Sequence, residues 1–236
     1  MDRIAELTEV LGSLKMVDLT HRIETDMPRW PTHTPVLITE TAAYQETGSY
    51  HNALRLHEHS GTHIDAPAHF IKDGEWHVSV DDIPLERFFG RMVTLSFHEC
   101  PPCYDITRAD IEDWESAHGV QIKKDDVVAF DFGIDQAWAD DDRERIGRDW
   151  PGLSPEAARY LRETGVKMVG TDALAIDACG AGGDPAHREL LGHGILILEN
   201  LSNLASMPDV GYFMCLPLPI KGGSGCPIRA VGLKAE

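Results

Sequence analysis

The chain has 236 residues, of which 42% are hydrophobic and 25% charged, the proportions of one globular domain. Its formal net charge of -18 argues against nucleic acid or an anionic membrane as a partner. No apolar run of about 18 residues occurs, so no membrane-spanning segment is expected.

The N-terminal segment, residues 1–15, is predicted to contain a helix over residues 2–14. Its apolar residues recur at helical spacing: Ile4, Leu7, Leu11 and Leu14. The segment is acidic and amphipathic, which is not typical of a secretory signal. A cytoplasmic location is therefore predicted. The helix has no obvious core partner of its own, which favours a contact between subunits.

The cysteine pattern also favours the cytoplasm. Five cysteines, an odd number, fit a reducing compartment better than a disulfide framework. Cys100-Pro-Pro-Cys103 has no second pair to complete a zinc site and is interpreted as a stiff loop. Three further cysteines are interpreted as small buried hydrophobic residues: Cys179, Cys215 and Cys226.

Strands and helices then alternate along the chain. The predicted strands cover residues 16–23, 36–43, 51–59, 92–97, 127–132, 166–172 and 195–198. Helices are predicted at 106–118, with Thr107 as N-cap, and at 154–165, with Ser154 as N-cap and Gly165 at its end. A short helix is predicted to start at Asp184, with Asp184 as N-cap and Pro185 as its first residue. The pattern indicates one α/β domain over residues 1–236 with a mixed sheet.

Half of the histidines lie in one short window. Six of the twelve fall within 27 residues: His51, His57, His59, His63, His69 and His77. Imidazoles at this density beside Asp65 indicate a metal site or a proton-transfer site. A single buried, hydrogen-bonded histidine is the usual alternative, but it does not explain such a cluster.

The residues between His59 and Asp65 are predicted to form a bent strand. Gly61 and Pro67 argue against a helix. In a straight strand, His59 and His63 would lie about 13 Å apart, too far to share an ion. A bulge or turn at Gly61 would bring them together. Mixed nitrogen and oxygen ligands suit Zn²⁺ or Mn²⁺ better than Ca²⁺.

The segment from residue 59 to residue 70, His-x-Gly-Thr-His-x-Asp-Ala-Pro-x-His-Phe, resembles the signature of the putative cyclase family. That family includes the bacterial kynurenine formamidases and isatin hydrolase. The similarity extends from Asp18-Leu-Thr-His21 to the glycine-rich C-terminal segment. It implies a swivelling β/β/α-type domain and a homodimer or homotetramer.

The remaining ligands follow from the same resemblance. Glu199 ends an apolar strand, where a carboxylate needs a metal, a salt bridge or backbone groups as partner. The residues alone leave these alternatives open. The related formamidases complete their metal centre with a His in a similar helix and a Glu at the end of a similar strand, which match His187 and Glu199. With His59, His63 and Asp65 this implies one or two divalent ions.

Three further residues are expected around the metal. His69 lies outside the row of ligands, so we predict a proton-transfer role as general acid and base. Trp30 is held between two prolines, as a pocket wall or as a loop residue packed on the core. The family's similar Trp contacts the substrate, which favours the pocket. Phe70 is expected to flank the substrate with it. The resemblance also places a Ser where this chain has Ala175.

The expected activity is that of a metal-dependent hydrolase acting on C–N bonds other than peptide bonds. The substrate would be a small molecule, aromatic or cyclic, as in arylformamidase or isatin hydrolase, with metal-bound water as the nucleophile. A lactone or cyclic-ester hydrolase, or a cyclase, on the same centre is the alternative. A non-catalytic metal-binding module, which would need no open coordination position, is the third interpretation.

Overall fold

The computed structural model describes residues 2–235. The strands are β1 (Lys15–Asp18), β2 (Leu37–Ala42), β3 (His51–Arg55), β4 (His63–Asp65), β5 (Phe89–Ser96), β6 (Asp105–Ile106), β7 (Val127–Asp131), β8 (Gly152–Leu153), β9 (Met168–Thr171), β10 (Leu196–Glu199), β11 (Val210–Met214), β12 (Gly225–Pro227) and β13 (Val231–Lys234). The helices are α1 (Arg3–Gly12), α2 (Tyr44–Thr47), α3 (Arg108–His118), α4 (Asp135–Ala139), α5 (Arg143–Arg148), α6 (Pro155–Thr164) and α7 (Pro185–Leu191). Met1 of the predicted N-terminal segment lies outside the described residues.

A nine-stranded mixed sheet, in the order β1-β13-β11-β5-β7-β9-β10-β4-β12, organises the fold. The central strands β5, β7, β9 and β10 are parallel to one another. The strands on either side pair in antiparallel fashion. Helices α3, α6 and α7 precede β7, β9 and β10 in the chain, as crossover connections between parallel strands require. The predicted α/β fold with a mixed sheet is confirmed.

Hydrophobic cores cover both faces of the sheet. Alternate residues of β7 point to opposite faces, so Val128 and Phe130 lie in the core under the helices, whereas Val127 and Ala129 lie in the other. The second core also contains Val17 of β1 and Cys226 of β12, which come from the two ends of the sheet. The sheet is therefore curled, since its ends share one core.

Strand β4 is the element that positions the candidate site. It pairs with β10 on one side, where His63 faces Glu199 in the register, and with β12 on the other, where Asp65 faces Gly225. All three of its residues are buried. The short histidine strand is thus fixed between two neighbours, one of which carries a carboxylate from a distant part of the chain.

Each predicted N-cap residue stands at the start of its helix. The Ser154 side chain accepts a hydrogen bond from the Ala157 N–H, and Gly165 ends α6 at a φ of +84°. Thr107 caps α3. Asp184 stands at the N-cap of α7, but its side chain makes no capping hydrogen bond.

The predicted strands are longer than the observed ones where loops begin. The strand predicted at 16–23 ends at Asp18, and the strand predicted at 51–59 ends at Arg55. The turn between β2 and β3 contains α2 as well as Gly48. Residues 56–62 therefore form turns and contacts of the candidate site instead of regular strand pairs.

The cysteine interpretation is wrong for one pair, because Cys103 and Cys179 form a disulfide. Their loops are held together by backbone bonds: the Cys103 N–H donates to the Asp149 carbonyl and the Cys179 N–H to the Trp150 carbonyl. Because Asp149 and Trp150 are adjacent, these two backbone bonds bring together two thiols that lie 76 residues apart in the sequence. The interpretation as small buried residues is confirmed for Cys215 and Cys226.

Within residues 2–235, every helix is too short or too polar to cross a membrane. Helix α1 buries none of its residues. Ile4, Leu7 and Val10 on this helix are exposed.

Candidate metal centre

The chain bends between His59 and His63, as the sequence predicts. Gly61 has a φ of +61°, a conformation that glycine adopts without strain. A Cβ atom there would lie 2.6 Å from the Met27 methyl group. The Gly61 carbonyl accepts hydrogen bonds from Nδ1 of His63, at 2.7 Å, and from Nδ2 of Asn200, at 3.1 Å. The bend therefore fixes the His63 ring with Nε2 facing the site.

Two distant parts of the chain meet at this point. Nε2 of His63 lies 3.3 Å from Oδ1 of Asp65 and 3.4 Å from Oε2 of Glu199. Nε2 of His187 lies 3.1 Å from Oε1 of Glu199 and 3.6 Å from Oδ2 of Asp65. All four side chains are buried. The structure thus brings His187 and Glu199 to the histidine segment.

His59 reaches the cluster from its edge. Its Nδ1 lies 2.6 Å from Oδ1 of Asp65, and its Nε2 lies 2.9 Å from the Ser224 hydroxyl. The Ser224 hydroxyl donates in turn to Glu58. His59 therefore joins the centre through Asp65, and the segment around β12 orients its ring.

Buried hydrogen bonds orient the other members. The Asp177 carboxylate accepts from Nδ1 of His187 at 2.5 Å and from the Ala186 and His187 N–H groups. It thus caps α7 in place of Asp184. The Ile176 N–H donates to Oε1 of Glu199 at 2.9 Å. Such partners fix the tautomer and the direction of a ligand, as in known metal sites.

The charges of the cluster favour a cation. Burial alone would lower the pKa values of His63 and His187, but the nearby carboxylates of Asp65 and Glu199, and the hydrogen bond from His187 to Asp177, outweigh it. They raise the pKa of His63 to about 10 and that of His187 well above its usual range. The histidines in turn hold the pKa values of Asp65 and Glu199 low in spite of burial. Two buried carboxylates thus keep their negative charge, which a proton or a metal ion must balance.

The donor atoms fit a divalent metal. Nε2 of His63 and Oδ2 of Asp65 are buried without a hydrogen-bond partner. Such orphaned polar atoms are rare and often mark the place of an ion. His63, Asp65 and Glu199 each offer one ligand atom within 4.8 Å of the others, as do His59, Asp65 and His69. Imidazole and carboxylate donors together suit zinc or a similar transition metal.

His69 lies beside this cluster on the 3-10 turn Pro67–His69. Its ring stacks on His59 with centroids 4.0 Å apart. Neighbouring atoms displace water from around the His69 ring and so lower its pKa to about 4, although part of the side chain remains exposed. The ring is therefore uncharged at neutral pH.

A cavity of about 200 Å³ opens above the cluster. Trp30 and Phe70, the predicted substrate contacts, both line it. Trp30 is 38% exposed and lies edge-on to the buried Trp150, so it is a cavity wall that also packs on the core. Phe70 packs against His187. Ala175 lines the cavity where the family resemblance leads one to expect a Ser.

Sequence reasoning missed several residues of the site: Leu174 and Asp184 in the cavity lining, and His33, Asp177, Asn200 and Ser224. Each of the last three acts through a contact with a residue elsewhere in the sequence. Asp177 bonds to His187, Ser224 to His59, and Asn200 to Gly61. No local pattern distinguishes them. His33 follows Trp30 by three residues, which was the one available signal for a second residue in that wall.

Fold and site together define an α/β enzyme with a buried centre of histidines and carboxylates for a divalent metal. The family described as Putative cyclase matches residues 17–178, more than half of the sequence. The chain belongs to this family, which confirms the resemblance of the histidine motif.

Related proteins cover nearly the whole chain. The kynurenine formamidase of Salinibacter ruber is 32% identical over 225 residues, covering 92% of this chain and 97% of the relative. That of Geobacillus thermodenitrificans is 30% identical over 217 residues, with 91% and 95% covered. Among solved structures, isatin hydrolase A from Labrenzia aggregata, bound to benzyl benzoate, matches with a TM-score of 0.90 and 30% identity over the full length of both chains.

Proposed function

We propose that the protein is a metal-dependent hydrolase of an amide-type C–N bond in a small aromatic or cyclic substrate. The observation that carries this proposal is the convergence of His63, Asp65, His187 and Glu199 at the floor of an aromatic-walled cavity. The similar proteins include kynurenine formamidases and isatin hydrolases, whose names refer to aryl amide chemistry.

The metal would be held by His59, His63, Asp65, His187 and Glu199, as one ion or as two ions that share Asp65. Asp65 supports the second arrangement, because its two oxygens face different histidines. Zinc or manganese suits these donors. When bound, such an ion would polarise a carbonyl group and would lower the pKa of water to near 7.

His69 would move the protons of the reaction. It lies at the cavity, it is uncharged at neutral pH, and its ring contacts the cluster through His59. A neutral imidazole can take a proton from the attacking water and return it to the leaving nitrogen. Both transfers are needed when an amide is hydrolysed, because the amine must leave with a proton.

Trp30 and Phe70 would bind the aromatic part of the substrate. Both line the cavity, and aromatic faces stack well on flat rings. Leu174 and Ala175 supply further apolar lining. An aromatic substrate would thus present its amide to the cluster on the floor.

We also propose a homodimer or homotetramer. The exposed apolar residues of α1 support it, because a helix of ten residues without buried side chains needs a partner surface to be stable. Light scattering of the full chain and of a chain without residues 2–14 tests this. We expect fewer subunits per particle for the shortened chain.

An assay of three substrate types tests the function. Protein reloaded with zinc or manganese is given N-formylkynurenine, isatin and a simple aryl lactone, with chelator-treated protein as the control. We expect hydrolysis of at least one of the two amides and its loss after chelation. Turnover of the lactone alone would favour an esterase, and activity that survives chelation would exclude a metal-dependent reaction.

A further inference from the structure

The outer hydrogen bond of each histidine ring decides which of its two nitrogens faces the cluster. In His63, Nδ1 donates to the Gly61 carbonyl. In His187, Nδ1 donates to the Asp177 carboxylate. Nε2 of each ring therefore faces the carboxylates of the centre. A neutral ring with its hydrogen on Nδ1 binds a metal only through Nε2.

His59 has the reverse arrangement, because its outer bond is made by Nε2. This atom lies 2.9 Å from the Ser224 hydroxyl, while Nδ1 lies 2.6 Å from Oδ1 of Asp65. Turning the ring by half a revolution would put carbon atoms against both partners, so the two contacts fix its orientation. A Cβ atom at Gly225 would lie 2.6 Å from Cε1 of the same ring. The position of the His59 ring is therefore set from the side of β12.

Glu58 decides where the hydrogen of the His59 ring lies. Oε2 of Glu58 accepts from the Ser224 N–H at 3.0 Å and from the Ser224 hydroxyl at 2.6 Å. An ionised carboxylate can only accept, so the single hydrogen of the hydroxyl is used in this bond. The Ser224 oxygen is then the acceptor for His59, which places a hydrogen on Nε2. Nδ1 is left as the bare nitrogen of a neutral ring.

We propose that Glu58 and Ser224 are positioning residues that direct Nδ1 of His59 at the metal. The inference rests on the proposed metal-dependent function and deepens it, since it assigns the ligand atom and the residues that select it. Nδ1 and Oδ1 of Asp65 are then two acceptors 2.6 Å apart, which repel each other unless a cation lies against both. Zinc has this charge and takes both imidazole nitrogen and carboxylate oxygen as ligands.

The experiment measures zinc affinity and the position of the hydrogen on the His59 ring. Ser224→Ala removes the acceptor of Nε2, whereas Ser224→Thr keeps a hydroxyl group and is the conservative variant. Ser79→Ala is the matched control, because the Ser79 hydroxyl also donates to a carboxylate, that of Asp81, outside the cluster. Competition with a chromophoric chelator gives the affinity. Long-range proton–nitrogen correlation NMR of protein with isotope-labelled histidine shows the ring hydrogens, and His59→Ala identifies the signals of that ring.

In the zinc-loaded wild type we expect the hydrogen of the His59 ring on Nε2. Ser224→Ala should bind zinc roughly 10- to 100-fold more weakly, the usual effect of removing the hydrogen-bond partner of a ligand. Ser224→Thr should recover most of the affinity, and Ser79→Ala should match the wild type. Glu58→Ala should weaken zinc binding by itself but add little to Ser224→Ala, because residues that act through one contact are not additive.

Three results would overturn the inference without touching the proposed function. The first is a zinc-loaded wild type in which the hydrogen of the His59 ring lies on Nδ1. The second is wild-type zinc affinity in Ser224→Ala. The third is a full additional loss from Glu58→Ala in the Ser224→Ala chain, which would show that Glu58 does not act through Ser224. A wild type that binds neither zinc nor manganese would instead remove the proposed metal-dependent function and the inference with it.

Discussion

The Asp177 carboxylate lies 2.5 Å from Nδ1 of His187 and so directs Nε2 of that ring at Glu199 and Asp65. Carboxylates in this position typically govern metal affinity by 10- to 100-fold. We therefore expect Asp177→Asn to weaken zinc binding by roughly this factor, because an amide NH₂ group turned towards Nδ1 would favour the wrong tautomer. Competition with a chromophoric chelator measures the affinity.

The control for this variant is Asp184→Asn. Asp184 occupies the N-cap of the same helix, but its side chain makes no capping bond. Metal affinity should not change in this control. If Asp177→Asn binds zinc as tightly as the wild type, Asp177 serves only as the cap of α7, and a lower melting temperature would be its sole effect.

His69→Ala should keep the metal and lose turnover by about 10²- to 10⁴-fold, the usual contribution of a proton-transfer group. The reason is that the His69 ring stacks on His59 with centroids 4.0 Å apart, whereas the His33 ring, whose pKa is also lowered to about 4, lies 6.0 Å from it. His77→Ala is the control, because His77 is exposed and bonds to the Ile71 carbonyl. Steady-state kinetics with parallel metal analysis decides the matter. Activity equal to the wild type would remove His69 from the mechanism, and loss of metal would make it a ligand.

Local signals in the sequence were sufficient where a segment specifies its own structure. Ser154, Pro155 and Gly165 define α6 without help from other elements. Gly61 marks the bend because no other residue has its conformational freedom. The meeting of Glu199 with His63 could not be read from such signals. It depends on the pairing of β10 with β4, and only the family resemblance indicated it.

Partnerships over long distances in the chain escaped prediction for the same reason. Asp177 reads as one acidic residue among 39 Asp and Glu, and Ser224 as part of a glycine-rich loop. The pairing of Cys103 with Cys179 depends on two loops that meet at residues 149 and 150. An odd number of cysteines says nothing about which of them lie side by side.

The disulfide gives a prediction about stability. Cys103→Ser should lower the free energy of unfolding by about 2–5 kcal/mol, because the cross-link restricts a long loop in the unfolded chain. Cys100→Ser, in the same loop, removes a free thiol and should have little effect. Urea unfolding without reductant compares the proteins. Equal stability of wild type and Cys103→Ser, with five titratable thiols in the unfolded wild type, would show that the cysteines are reduced as the sequence suggested.

Asp172 gives a prediction about pH. Burial, together with the nearby Asp131 charge, raises the pKa of Asp172 from 3.8 to about 7. The folded chain therefore holds a proton that the unfolded chain releases, so the free energy of unfolding falls as the pH rises through this interval. Asp131→Asn removes the charge that opposes ionisation and should make the fall from pH 5 to about pH 8 shallower.

Melting temperatures across this interval test the effect of Asp131. Asp105→Asn, which removes the same charge at an exposed position, is the control and should keep the wild-type slope. Identical slopes in wild type and Asp131→Asn would mean that the Asp131 charge does not govern the ionisation of Asp172.

The most direct test is the metal content of variants taken from both halves of the site. Wild type, His63→Ala, His187→Ala and Glu199→Gln are purified without chelator, and bound zinc and manganese are measured by elemental analysis. His193→Ala, an exposed histidine close to His187, is the control. The wild type and His193→Ala should carry a divalent ion. The other three should lose metal affinity by more than the roughly 10- to 100-fold that follows from losing a hydrogen-bond partner of a ligand. Full metal content in His187→Ala and Glu199→Gln would contradict a centre shared by the two distant parts of the chain.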